Sequence, residues 1–563
     1  MRKVHNLNGI WDFEFLFKKH WQEVDFSTLS YQERITVPGC FDAVAHYENK
    51  RGTGVYRTFV ECGGKVKLEL EAAGLRGEIL WDGKKIAFHD QPYTPQILIF
   101  DAGAPGKHEL VVSTDNFVVK GDDSTFSPFY DFYPFGGLYR SVTLTELPEQ
   151  YIDRVEVLPQ NTKTGEVLVR VETSKEISSV DLLFDTAKAA IPCHVKDGKG
   201  ELRCNVPDFK VWSTETPNLH TLKASTSDDE LTVTFGIRTI ECKAGKILLN
   251  GKPVKLIGWN RHESHPAFGA AVPEFLIYTD LQLIKQQGTN FIRGCHYKQS
   301  KAMLDLCDRM GLLVWEESLG WGNTKAQLGN ENFRKFQCAQ TAAMVRSSIN
   351  HPCVIMWGFL NECASDTQEG HECIEQLCKT IRALDPSRPI TFASNRQQAD
   401  ICLDLVDIIS INAYPGWYDY LKDEESEGLG RVVPKIQELE EFASKPEYID
   451  KPFIIAEIGA AAIIGDHSGV QWSEEYQADL LEIATRYILK SPRAAGVAMW
   501  QFCNAKTYNR IFAVIDRPRG YNNKGAVDEF RRPKLSWKRI ADVLKENAEE
   551  KQGLNRLADA LKG

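Results

Sequence analysis

The chain has 563 residues, 43% hydrophobic and 26% charged, with a formal net charge of −10. That length exceeds one core, so two to four domains are expected, and the composition is globular. The acidic balance argues against nucleic acid or an anionic membrane surface as the main partner, and a negative ligand would have to meet locally placed positive charge.

Residues Met1 to Gly9 contain no apolar run, and Trp11-Asp12-Phe13-Glu14-Phe15 already reads as strand, so no signal peptide is expected. No window of about 18 apolar residues suggests a membrane span. The 14 cysteines are scattered without a C-x-x-C pair. That spacing predicts neither a zinc site nor a disulfide framework, but buried free thiols in a reducing cytoplasm.

Residues 1–145 read as all-β. Val66–Glu71 and His108–Ser113 alternate apolar and polar residues, with Gly, Pro and Asp clusters between such runs. A two-sheet sandwich of jelly-roll type fits, a kind of module that often holds carbohydrate. The aromatic stretch Phe126–Arg140 reads as a packed loop between domains, except that Asp131, an acid among rings, could reach a neighbouring site. Residues 146–245 hold further short strands, among them Val167–Val171, Val180–Phe184 and Leu231–Phe235. Their spacing predicts a small immunoglobulin-like sandwich serving as a spacer.

From residue 246 to 563 strands alternate with amphipathic helices. Candidate strands are Val254–Gly258, Asn290–Arg293, Leu312–Glu316, Val354–Leu360, Pro389–Ala393, Ile408–Ile411, Phe453–Ala456 and Gly496–Trp500. Helical apolar spacing recurs at Ile374, Leu377, Cys378, Ile381 and Leu384, and again over Tyr476–Leu489. Eight strands in this rhythm predict a (β/α)8 TIM barrel. Val354–Leu360, an unbroken apolar run after Pro352, reads as a strand buried on both faces; it stops at Asn361-Glu362. Phe453–Ala456 repeats the pattern and stops at Glu457.

Barrel chemistry sits at the carboxyl ends of the strands. Read in order, those ends carry Asn260-Arg261-His262-Glu263, His296-Tyr297, Glu316-Glu317, Asn361-Glu362, Asn412-Ala413-Tyr414, Glu457 and Trp500. Each has a bland account alone: His262 as a core histidine, Glu316 as a partner for a barrel arginine, Trp500 as packing. Together they suggest two carboxylates facing each other across a sugar, as glycoside hydrolysis requires.

The chain resembles the family 2 glycoside hydrolases along its whole length. Gly258-x-Asn260-Arg261-His262-Glu263, Asn361-Glu362 and Glu457 carry the likeness, as does the order of jelly roll, immunoglobulin-like sandwich and barrel. Within the family it is most similar to the β-glucuronidases, through Tyr130-Asp131-Phe132, Asn412–Tyr418 and Trp472–Gln477. Asn522-Asn523-Lys524 fits the Asn-x-Lys pair that holds the sugar carboxylate in enzymes acting on uronides. An ammonium and an amide there suit an anionic oxygen on physical grounds too.

The resemblance implies retention, with Glu362 as acid/base and Glu457 as nucleophile, their carboxyls ~5–5.5 Å apart. It implies Asn361 on the sugar 2-hydroxyl, Tyr414 orienting Glu457, and Asn412, Asp131, His262, Tyr418 and Trp500 around the terminal sugar, with Glu316 and Glu317 behind. An Arg just ahead of the Asn-x-Lys pair is also implied; the expected set carries Arg519, with Arg517 as the alternative across Pro518. No cofactor or metal is expected, and family members are commonly dimers or tetramers. Remaining alternatives are a β-galacturonidase, a neutral-sugar β-galactosidase for which Asn522 and Lys524 would be idle, a catalytically silent carbohydrate-binding protein, and a barrel enzyme of other chemistry. The last would need clustered Asp and His ligands at the strand ends.

Overall fold

The computed structural model describes residues 2–118, 129–418, 428–509 and 517–560; Phe126, Ser127 and Pro128 of the aromatic stretch lie outside them. The architecture is multidomain, two β-sandwiches followed by a barrel. In the first, alternation does what period 2 dictates: Val66, Leu68 and Leu70 are buried while Lys65, Lys67 and Glu69 are not fully so. Two antiparallel sheets of six and four strands enclose Trp11, Phe13, Tyr56, Leu68 and Leu144. The second sandwich is one seven-stranded sheet whose strand Ile191–Lys196 pairs with both Ser179–Phe184 and Lys199–Asn205. The sheet folds over around Val155, Val169, Leu182 and Phe235.

Before the barrel, Ile240–Lys243, Lys246–Leu249 and Lys252–Val254 form a small antiparallel sheet. The sequence reading opened the barrel at Val254; Asn250-Gly251, at φ 54° and 75°, makes a two-residue hairpin there instead. The first parallel strand therefore begins two residues later.

The barrel strands are β1 Leu256–Asn260, β2 Phe291–Gly294, β3 Leu313–Glu317, β4 Val354–Gly358, β5 in two pieces Ile390–Thr391 and Ala393–Ser394, β6 Ile409–Asn412, β7 Phe453–Glu457 and β8 Ala494–Met499. All pairings are parallel, and β5 closes the ring, its first piece on β4 and its second on β6. Every residue of β1, β3, β4 and β7 is buried, which is why these strands read as unbroken apolar runs. The helices Gln368–Leu384 and Glu474–Lys490 cover the outside with the apolar faces the periodicity predicted.

The seam between first sandwich and barrel is aromatic. Phe132, Tyr133, Phe135 and Tyr139 pack with Tyr297, Leu319 and Tyr508 in one buried cluster. This seam carries Asp131 to the mouth of the barrel. Among the described residues, no helix is long and apolar enough to cross a membrane.

Candidate active site

The cleft at the carboxyl ends of the barrel strands has a volume of about 360 Å³. Its floor begins at β4. A Cβ on Gly358 would come within 2.0 Å of Trp315 Nε1, so only glycine lets β4 pass β3 that closely. The chain then leaves the ladder through two residues in the left-handed region, Leu360 (φ 40°) and Glu362 (φ 51°). Such residues cost on the order of 1–3 kcal/mol each and persist where the surroundings over-determine them. Here they do: Asn361 N–H donates to Gly320 O (2.9 Å), Asn361 O accepts from Gly322 (2.8 Å), and Glu362 N–H donates to Ala393 O (2.9 Å). Glu362 is thus held from β3 and β5 as well as from its own strand.

Burial first, and then the charge of Glu457, push the Glu362 carboxyl up to about 7. Asn412 Nδ2 donates to Glu362 Oε1 (2.8 Å) and to Asn361 Oδ1 (3.1 Å). Among the described residues the buried amide nitrogen of Asn361 meets no acceptor, a donor left for a ligand oxygen.

Glu457 ends β7 against a buried arginine that the sequence reading did not single out. Arg293 donates to Glu457 Oε1 (2.8 Å), to Glu317 through two nitrogens (2.9 and 3.2 Å), and to Asn361 Oδ1 (2.9 Å). Tyr414 OH donates to the other oxygen of Glu457 at 2.5 Å. Burial raises the Glu457 pKa, while Arg293 and Tyr414 favour the ionised form and restrain the rise. One carboxyl thus exchanges its proton near neutrality beside a second that two donors steady as an anion. That pair can give a proton to a leaving oxygen and meet a cationic carbon. Because Arg293 serves two buried carboxylates, Arg293→Ala should destabilise the fold by ~3–5 kcal/mol, the cost of an unpaired buried charge. Urea denaturation should show the loss as a lowered midpoint.

The opposite wall is cationic. Asp131 accepts from Arg517 Nε and Nη2, both at 2.7 Å, and Asn522 Nδ2 donates to it at 2.9 Å. Burial acts to raise the Asp131 pKa, but Arg517, Lys524 and His262 outweigh it and hold the carboxyl below its ordinary value. Lys524, 1% exposed, donates to Tyr418 OH at 2.7 Å and lies 4.7 Å from the Tyr418 ring centre and 5.4 Å from that of Trp417. Asn522 Oδ1 accepts from the Lys524 N–H at 3.2 Å, so Asn522 braces both Asp131 and Lys524.

Of the expected residues, Asp131, Glu362, Asn412, Tyr414, Tyr418, Glu457, Trp500 and Lys524 line the cleft. Asn361, Asn522 and His262 lie just behind its surface, each at most 1% exposed. Arg519 is a correction: it pairs with Glu529 (2.7 Å) and Asn523 (3.0 Å) away from the cleft, and Arg517 lines it. The turn Pro518–Gly520 sets Arg519 in the left-handed region (φ 62°), which separates its direction from that of Arg517. Glu317 stands behind Glu457 through Arg293, and Glu316 is buried beside Lys298.

His262, His296 and Cys295 come together under Trp500, which stacks on His296 with ring centres 5.2 Å apart. Both imidazoles are held well below their ordinary pKa, by burial first, and their Nε2 atoms find no partner among the described residues. Their spacing would admit an ion, a grouping the sequence spacing did not reveal. The charge of Arg293, felt by all three, opposes a cation there.

Residues 240–527 match the family described as glycosyl hydrolases family 2, TIM barrel domain. The chain is 28% identical over 591 aligned positions to a β-glucuronidase of Streptococcus agalactiae, covering 95% of this chain and 94% of that one. It is 32% identical to the β-glucuronidase of Mus musculus across 72% of this chain and 63% of the mouse protein. The solved structure of a GH2 β-galacturonidase from Eisenbergiella tayi, bound to galacturonate, superimposes with a TM-score of 0.87 at 33% identity over 97% of both chains.

Proposed function

The chain belongs to glycosyl hydrolase family 2, and from that premise we propose that it is a retaining exo-β-glycosidase that removes terminal β-D-glucuronides. The observation that carries the reading is Lys524, a buried cation on the wall of the cleft that also holds Glu362 and Glu457. A C6 carboxylate would give that ammonium a charge-assisted bond, which a neutral sugar cannot supply. In this reading Glu457 attacks the anomeric carbon, Glu362 protonates the departing oxygen, and water then releases the sugar with Glu362 as base. The buried amide of Asn361 donates to the sugar 2-hydroxyl, and Trp500 with Asp131 borders the ring. Side chains and water suffice for every step.

The resemblance to a galacturonidase at 33% identity favours a second reading, β-galacturonidase, which needs the same carboxylate reader and differs at one hydroxyl. A panel of p-nitrophenyl β-glycosides decides between them: glucuronide, galacturonide, galactoside, glucoside and mannoside. Preference for either uronide supports the carboxylate reader, and preference for a neutral glycoside ends it. We place the enzyme in the cytoplasm, which accords with its 14 unpaired thiols, and as a homodimer or homotetramer. Sedimentation velocity tests the oligomer.

The acid has its own test. Glu362 must be protonated to act on the free enzyme, so kcat/KM should fall as pH rises through about 7. Glu362→Ala should cost about 10²–10⁴-fold on substrates with poor leaving groups, the usual contribution of a positioned acid, and far less on activated phenols. Added azide should restore part of the rate by attacking the glycosyl-enzyme. Equal losses on both substrate types would remove Glu362 from the role.

A further inference from the structure

One buried cation takes no part in the chemistry described so far. Lys534 stands immediately before the last helix, Leu535–Ala560, and is 2% exposed. An ammonium has three N–H groups to place, and here three acceptors converge on it. They are Ala462 O at 2.8 Å, Asn504 Oδ1 at 3.0 Å and Asn523 O at 2.8 Å. Ala462 lies beyond β7 and Asn504 beyond β8, while Asn523 stands between Asn522 and Lys524.

Resting on the uronide reading above, we propose that Lys534 is the positioning residue of the carboxylate reader. It ties the backbone of Asn522-Asn523-Lys524 to the loops after β7 and β8, and so sets where the Lys524 ammonium stands.

The contacts around the reader support this first. The bond from Lys524 Nζ to Tyr418 holds the far end of that side chain, but the near end goes where its backbone goes. Lys524 O accepts from Gln501 N–H at 3.0 Å. Gly525 N–H donates at 3.1 Å to Asn504 Oδ1, the same oxygen that Lys534 holds. A Cβ on Gly525 would fall 2.2 Å from Asn504 N, so the reader runs in backbone contact with the loop after β8. On its other side, Ala462 N–H donates to Asn523 O at 3.1 Å, beside the Lys534 bond to that oxygen. All three segments therefore meet at one ammonium.

Keeping a charge there is costly, and the fold has other means of closing this region. Burial first drives the Lys534 pKa down to about 7, against the pull of Glu474, Glu529 and Asp528. The last helix is anchored separately, by the buried side chains of Ile540, Val543 and Leu544 and by Leu535 N–H on Glu474 Oε2. Without Lys534, Asn523 O keeps the Ala462 N–H and Asn504 Oδ1 keeps that of Gly525. What the ammonium adds is convergence, because no neutral side chain donates three bonds from one atom.

The test is a double-mutant cycle in the full-length enzyme, read as kcat/KM on the p-nitrophenyl uronide that the glycoside panel selects. Lys534→Met, similar in length and uncharged, should lose about tenfold or more in the wild-type background, since a small misplacement of a binding group costs up to about 10²-fold. In the Lys524→Ala background the same change should cost less than about threefold, because the group that it positions is gone. Urea midpoints report whether each variant is folded. If Lys534→Met does not fold, Lys534→Gln, which keeps two N–H donors, goes through the same cycle and should show the same selective loss in smaller degree. Equal losses in both backgrounds, no loss in the wild-type background, or failure of both Lys534 variants to fold would overturn the positioning role. Full uronide turnover by Lys524→Ala would instead end the reader itself, and no wild-type turnover of any uronide would end the uronide reading.

Discussion

Glu457→Gln is expected to give a folded protein whose kcat on p-nitrophenyl β-D-glucuronide falls by about 10⁴-fold or more, the scale seen when one member of a covalent catalytic set is lost. Folding should survive because the change is isosteric. A Gln carbonyl still accepts from Arg293, and Arg293 keeps its two-nitrogen bond to Glu317. What disappears is the negative charge that would meet the anomeric carbon, together with any means of forming the glycosyl ester. The same substitution carries a second, independent consequence. The Glu457 charge is one of the two main causes that hold Glu362 near 7, so removing it should lower the Glu362 pKa. NMR titration of selectively labelled Glu362 would read the change in the resting protein. In wild type, a 2-fluoro glucuronide should label the peptide that carries Glu457. Label on any other carboxylate would overturn the assignment of the nucleophile.

The strands of the barrel were legible because each is buried on both faces, so apolar runs mark them whatever their neighbours. β5 is the exception in kind: it breaks at Phe392 into two pieces, which a run of residues as short as Pro389–Ala393 does not disclose. The strand-end carboxylates were legible for the same reason, since a polar residue that stops an apolar run is conspicuous. Arg293 was not. It is the last residue of the predicted strand Asn290–Arg293, ahead of the His296-Tyr297 pair, and its importance comes from partners on β3, β4 and β7 that only closure of the barrel brings together. The choice between Arg517 and Arg519 turned on one φ angle in a three-residue turn, below the resolution of any spacing argument. Asp131 was the opposite case. An acid within a run of aromatic residues is costly unless paired, and its partner proved to be Arg517, far along the chain.

Lys524→Ala is expected to lower kcat/KM on the glucuronide by at least about thirtyfold. Truncating one partner of a desolvated charge pair costs about 2–5 kcal/mol, and each ~1.4 kcal/mol is tenfold. Three features of the site place the loss within that range. The ammonium is almost fully buried, so water cannot replace it beside the sugar carboxylate. Its flexible stem is already fixed, by the bond to Tyr418 OH and by the faces of Tyr418, Trp417 and Tyr414, so little ordering remains when substrate arrives. The other nearby cation, Arg517, gives its Nε and Nη2 to Asp131 and also bonds Tyr418, so it is a poor substitute. Removing Lys524 also withdraws one of the charges that keep Asp131 ionised, so the Asp131 pKa should rise in the variant. Measured side by side, activity on the matching neutral glucoside should change little, because that sugar has no carboxylate to lose. The ratio of the two substrates is therefore the decisive quantity. A collapse of the ratio with the neutral rate kept assigns Lys524 as the carboxylate reader. Parallel losses on both would make it a structural lysine, and a wild type that prefers the glucoside would end the uronide reading.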